Sequence, residues 1–242
     1  MTGNQLKILA LVTMTVDHIG VVMFPDVMLL RVIGRLSFPI FAYMIAEGCH
    51  YTHNKPRYLG LLVAVGALCQ IVYFVVEGSL YQSIMTTFAL SVVTIFAIQL
   101  LDSRADFLGL LACVGALVLD VFLAAILPEL FVDTDYAVDY GLAGVLVPVL
   151  VYAPRLVYRG DDVRTLRALM LVFCGVGLVC VAATTTGSLA WVQWFGLAAL
   201  VPLAFYNGER GTWNLKYLFY VYYPVHLAVI WGIEELVSGL AL

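Results

Sequence analysis

The chain alternates between apolar runs of about membrane length and short polar connections, and almost nothing else. A hydrocarbon core of about 30 Å needs about 20 apolar residues per helix. On that scale nine helical spans are expected, at about 6 to 24, 29 to 49, 58 to 76, 84 to 101, 107 to 127, 139 to 154, 165 to 185, 189 to 206 and 215 to 238. The sixth is short and holds Gly141, Gly144 and Pro148, so whether it spans fully is left open. The longest polar connections are 50 to 57, 128 to 138 and 155 to 164, with no internal repeat and no linker, so residues 1 to 242 read as one domain. The pattern predicts an all-α polytopic membrane bundle of about nine transmembrane helices.

Composition agrees with the pattern. Of 242 residues, 63% are hydrophobic and 12% charged, with a mean hydropathy of +1.01. Soluble domains carry about 25% charged residues. The net charge of -4 is small and dispersed, which points away from nucleic acid. Cys49, Cys69, Cys113, Cys174 and Cys180 form no CxxC and fall mostly in apolar segments, as packing residues do. Asp17 and His18 interrupt the first apolar run and no small-x-small site follows it, so it reads as a span rather than a cleavable leader.

Loop charge orients the bundle, because inside loops carry the excess of Lys and Arg. Connections after the second, fourth, sixth and eighth helices hold Lys55 and Arg57; Arg104; Arg155, Arg159 and Arg164; then Arg210 and Lys216. The intervening ends are acidic or neutral, with Asp26, Glu77, Glu129, Asp133, Asp135, Asp139, Glu234 and Glu235. The N-terminus is therefore expected inside. Arg31 breaks the rule and, with Arg35 one turn deeper, reads as an intramembrane feature.

Ionisable side chains within hydrocarbon cost a few kcal/mol, about 2.5 to 3.5 on insertion scales, and mark the candidate site. The first span, KILALVTMTVDHIGVVMF, sets Asp17 beside His18 and places Lys7 eleven residues before His18, about three turns away on the same face and about 16 Å along the axis. In RVIGRLSFPIF, Arg31 and Arg35 share a face, and Pro39 removes a backbone donor, so local irregularity is expected there. Glu47 ends the same helix beside His50, His53, Lys55 and Arg57; the HxxH spacing lacks the HExxH metal pattern, and no metal site is expected. In the last span, FYVYYPVHL, Pro224 breaks the hydrogen-bond ladder just before His226, and Tyr222 lies one turn back on its face. His18 and His226 are expected at one depth. Asn207, Gly208 and Gly211 read as a turn.

A histidine beside a carboxylate can be a general base, but helix neighbours point about 100° apart, so Asp17 can instead hold Arg35. The residues alone leave open an enzyme, a proton-coupled transporter and a non-catalytic membrane assembly factor.

The strings KILALVTMTVDHIG, RVIGRLSFPIFAYMIAEG, YTHNKPRYL, VDYGLAGVL, YNGERG and FYVYYPVHL resemble, in order and spacing, the TraX family of membrane proteins. Its founding members acetylate the N-terminus of conjugative-pilus pilin with acetyl-CoA as donor. Lys7 and His18 also match the basic-x10-His pattern of acyltransferase-3 type membrane acyltransferases, to which TraX looks similar. The resemblance implies an acetyltransferase of the cell membrane with an unidentified acceptor, an amine or hydroxyl, reached from the outer side. His18, Asp17, Arg35 and His226 would be its catalytic set: His18 as base or acetyl carrier, Arg35 or His226 as oxyanion donor. Lys7, Arg31, Glu47, Lys55, Arg57, Asn207 and Arg210 would be its acetyl-CoA positions, with the donor phosphates near Lys7, Lys55, Arg57 or Arg210.

Overall fold

A computed structural model describes residues 1–212 and 216–240, without the side chains of 216, 217 and 238–240. Secondary structure among the described residues is helical apart from one isolated bridge, between Gln82 and Val138. Six helices are long and apolar enough to cross a membrane: Gly3–Val22, Met28–Tyr51, Lys55–Glu77, Ile84–Arg104, Phe107–Leu130 and Val163–Thr184. The chain is a multi-pass membrane protein. It divides into two compact units, Met1–Phe41 with Thr185–Leu242, and Ala42–Thr184.

In the first unit, helix α1 (Gly3–Val22) starts at a capping box, in which Gln5 N–H donates to Thr2 Oγ1 and Thr2 N–H donates to Gln5 Oε1. Helix α2 (Met28–Gly34) stops at Arg35 and Leu36 before α3 (Ser37–Tyr51) resumes. The expected irregularity is thus present, and its cause is Pro39, which cannot donate to the carbonyl of Arg35. Small residues let α1 and α2 approach: a Cβ on Gly20 would stand 2.7 Å from Leu30 Cβ, and one on Gly34 would overlap the Asp17 carboxylate.

In the second unit, α4 (Lys55–Glu77) is capped by Asn54, whose Oδ1 accepts from Arg57 N–H at 2.9 Å. It ends at Gly78 with φ 66°, a left-handed position that glycine adopts without strain. Helix α5 (Ile84–Arg104) is the centre of this unit and packs on α4, on α6 (Phe107–Val121) and on α8 (Gly141–Tyr152). After α6 the chain widens into a π turn, Phe122–Ile126, then tightens into α7 (Leu127–Leu130). The connection that follows is pinned by Asp135, which accepts from the Ser79 hydroxyl and from Leu80 N–H at 2.8 Å. Those donors hold its carboxyl below the ordinary carboxylate range. Helices α8 (Gly141–Tyr152), α9 (Pro154–Val157) and α10 (Val163–Thr184) complete the unit.

Two expected spans are short. The sixth is α8, 12 residues long, which rises about 18 Å and falls below the hydrocarbon thickness. The eighth, in the first unit, is a 3-10 stretch, Ala190–Ala199, continued by α11 (Leu200–Ala204). The steeper rise of a 3-10 helix lets these residues cover about 27 Å, close to the hydrocarbon core. The last helix, α12 (Lys216–Leu240), also belongs to the first unit and contains Pro224. Residue 215, where the ninth span was expected to begin, lies outside the described residues, as does the side chain of Lys216.

Candidate functional site

Asp17 and His18 point to different helices, as their spacing of about 100° requires. Asp17 faces α2. Arg35 Nη2 donates to its Oδ1 at 2.8 Å and its Oδ2 at 2.7 Å, and Arg31 Nη1 approaches Oδ1 at 3.0 Å. The i and i+4 spacing of the arginines brings both to one carboxylate. Arg35 Nη1 also reaches Gln193 Oε1 at 3.5 Å, and Arg35 Nε reaches the Arg31 carbonyl at 3.4 Å. Arg35 is buried. Two guanidiniums on one carboxylate leave the cluster with one surplus positive charge, so it is suited to hold or stabilise an anion.

His18 faces α12. Its Nδ1 stands 2.9 Å from His226 Nε2, and His226 Nδ1 stands 2.9 Å from the carbonyl of Tyr222. The Tyr222 ring lies flat on the His226 ring, with centroids 5.2 Å apart and planes at 8°. Tyr223 presents its edge to both histidines. Thr15, one turn before His18 on α1, donates to the Leu11 carbonyl at 2.8 Å, which leaves its oxygen to accept from the Tyr222 hydroxyl at 2.7 Å. The two helices are therefore tied by two polar contacts side by side, and the histidines do meet at one depth.

Lys7 also faces α12, with Nζ 5.4 Å from the centre of the Phe219 ring, a cation–π distance. Nearby, the turn at 207 to 211 closes over the start of α1: Gly3 N–H donates to the Glu209 carbonyl at 2.7 Å and Asn4 N–H to that of Arg210 at 2.9 Å. The turn thus supplies acceptors for donors that a helix start leaves open. Asn207 shapes it, its amide donating to Glu209 Oε2 at 2.9 Å and its Oδ1 accepting from Glu209 N–H at 3.1 Å. Gly208 at φ 79° and Gly211 at φ 92° provide the left-handed positions. The Arg210 side chain is exposed.

Of the expected site residues, Lys7, Asp17, His18, Arg31, Arg35, Asn207, Arg210 and His226 belong to the first unit, and Glu47, Lys55 and Arg57 to the second. In the second unit Glu47 is buried and paired with Arg155, whose guanidinium lies 5.9 Å from the Tyr51 ring centre. Lys55 sits 5.2 Å from the Phe96 ring centre, and Arg57 is exposed.

Three groups were missed. Thr15 and Gln193 are uncharged and unremarkable in apolar helices, so nothing in the sequence singles them out. Asp120, in LVLDVFL, did carry a signal, since an acid inside an apolar run is rare. It is completely buried in α6, with the Thr94 hydroxyl at 2.5 Å from Oδ2 and no hydrogen-bond partner on Oδ1 among the described residues.

The model of the family described as "TraX protein" matches residues 2–234. "Probable fimbrial assembly protein FimC, serogroup H1" from Dichelobacter nodosus is 24% identical over 93% of this chain and 93% of its own length. "Uncharacterized protein RP591" from Rickettsia prowazekii (strain Madrid E) is 34% identical over 28% of this chain and 25% of its own. No solved structure matches.

Proposed function

Since the chain belongs to the TraX family, we propose that it is an acetyltransferase of the cytoplasmic membrane, moving an acetyl group from acetyl-CoA to an amine or hydroxyl. The observation that carries this reading is the α1 face, where His18 stands against His226 and Lys7 lies three turns earlier on the same side. The positive-inside pattern supports a cytoplasmic Lys7 end of α1, the side on which acetyl-CoA is available. Lys7 and Arg210 offer charge to the donor phosphates at that end. The run from Lys7 to His18, about 16 Å, suits an extended pantetheine arm.

In the reaction, the acceptor nitrogen or oxygen attacks the thioester carbonyl as His18 takes its proton. The surplus positive charge of the Arg31, Arg35 and Asp17 cluster favours the oxyanion that develops. Collapse breaks the carbon–sulfur bond, and the proton on His18 passes to the departing thiolate. Asp17 is committed to the arginines, so in this reading it supports the oxyanion donors rather than the base. The name of the Dichelobacter relative favours a fimbrial subunit as acceptor, in keeping with the pilin N-terminus used by the founding members of the family.

Calorimetry of the purified protein with acetyl-CoA, free CoA and the His18→Ala variant tests the donor side, and mass spectrometry of envelope proteins tests the product. Saturable binding, with acetylated product that disappears in His18→Ala, is the expected result. A folded protein that ignores millimolar acetyl-CoA refutes the proposal. That same name also supports a second reading, a fimbrial assembly factor without catalysis. It would tolerate simultaneous loss of His18 and Arg35, which the acetyltransferase would not.

A further inference from the structure

We propose that His226 is a positioning residue that fixes the tautomer of His18, so that His18 Nε2 is the bare, proton-accepting nitrogen. The Tyr222 carbonyl fixes the first proton. A carbonyl oxygen only accepts, so the 2.9 Å contact from His226 Nδ1 requires the hydrogen on that nitrogen. A neutral imidazole carries a single N–H, so His226 Nε2 presents a lone pair. His18 Nδ1, 2.9 Å away, must then be the donor. That engages the only N–H of a neutral His18, whose ring also lies within hydrogen-bonding reach of the Met14 backbone, and its lone pair is left on Nε2. A second proton on either ring would add charge to a span whose Asp17 cluster already holds a surplus cation, and charge is costly there.

The rings are held for this purpose from several sides. Tyr222 stacks on His226, Tyr223 meets both rings edge-on, and the bond between Tyr222 and Thr15 fixes α12 against α1 beside them. His226 thereby does what a carboxylate does for a histidine base, accepting the Nδ1 hydrogen and favouring the imidazolium once it forms. It does so as a neutral group, which suits a membrane interior. The sequence neighbour that would have been the obvious carboxylate, Asp17, is engaged by the arginines instead.

This inference rests on the proposed acetyltransferase only for its kinetic arm. The chain contains four histidines, so nitrogen-15 labelling of histidine in the detergent-solubilised protein gives a tractable spectrum, assigned with His18→Asn. The expected spectrum shows His18 with hydrogen on Nδ1 and a bare Nε2. In His226→Leu the hydrogen should redistribute to Nε2, and in His226→Gln, whose amide oxygen can accept from His18, it should stay on Nδ1. Acetyl transfer should fall by at least about 100-fold in His226→Leu, within the range of a misplaced general base, and recover most of that loss in His226→Gln. A wild-type His18 with hydrogen on Nε2, or a tautomer indifferent to His226→Leu, overturns the proposal. Absence of acetyl transfer in the wild-type protein overturns the acetyltransferase reading, while the tautomer assignment is judged on the spectrum alone.

Discussion

Each unit of this protein sets an aspartate within an apolar span, partly buried in the first and completely buried in the second, and the two are accommodated in opposite ways. Asp17, on α1, has both oxygens engaged by guanidiniums. Asp120, on α6, meets no cation among the described residues; one oxygen meets the Thr94 hydroxyl and the other has no hydrogen-bond partner among them. A carboxylate in hydrocarbon must be paired or neutralised, because burying an isolated charge is prohibitive. Asp17 is paired with two cations, whereas Asp120 is offered a hydroxyl alone, surroundings that favour its neutral acid over its anion. The comparison teaches that a site able to manage charge and one able only to hide it are told apart by partners, not by residue type.

The largest test is Asp17→Asn, which leaves two guanidiniums without their carboxylate. Breaking a buried pair on one side costs about 3 to 5 kcal/mol, so thermal unfolding in detergent should show a loss of that order. A loss below about 1 kcal/mol would mean that the cluster is solvated and that the contrast with Asp120 is one of position only. Next is Gly34→Ala. Its new Cβ would collide with the Asp17 carboxylate and force α1 and α2 apart. Overpacking of this kind costs about 1 to 3 kcal/mol. Because the collision pushes Asp17 away from its arginines, part of the ion pair is already lost in Gly34→Ala, and the double variant with Asp17→Asn should be less unstable than the sum of the two, read in a double-mutant cycle. Strict additivity would show that Gly34→Ala leaves the pairing of Asp17 intact.

How much of this was legible before the structure depends on what kind of signal each residue leaves. Asp17, His18, Arg31, Arg35 and His226 stood out because ionisable residues interrupt apolar runs, and helical spacing limited their possible partners. The spacing could not decide whether Asp17 served His18 or Arg35, since that depends on which helix lies on each side of α1. Thr15 and Gln193 were invisible, as uncharged polar residues leave no mark against an apolar background. The 3-10 course of Ala190–Ala199 was hidden too, because the apolar run from 189 to 206 shows only that the segment is buried or in lipid, not how steeply it rises. Asp120 was as conspicuous as Asp17, yet its partner among the described residues, a hydroxyl on α5, lies far away in sequence and advertises nothing.

Thr94→Val addresses that partner. Valine keeps the shape and removes the hydroxyl, so Asp120 loses its one hydrogen bond inside the second unit. Leaving a buried polar group unsatisfied costs about 1 to 3 kcal/mol, and the midpoint of thermal unfolding should fall accordingly. An unchanged midpoint would show that Asp120 has another partner, and the simple contrast with Asp17 would dissolve.

The smallest expected effect is also the sharpest, because its sign separates the two ways of burying an acid. Asp120→Asn replaces a carboxyl group with a neutral amide of nearly the same shape. If Asp120 is already the neutral acid, the exchange swaps one hydrogen-bonding group for another, and stability should change by less than about 1 kcal/mol. If Asp120 is an anion, the same variant removes an unpaired buried charge and should stabilise the protein by several kcal/mol. Asp17→Asn, the identical chemical change in the other unit, is expected to destabilise, since there the charge is what the neighbours require. A marked gain at Asp120 would therefore show that the second unit also houses an ion, and that its counter-charge must be sought.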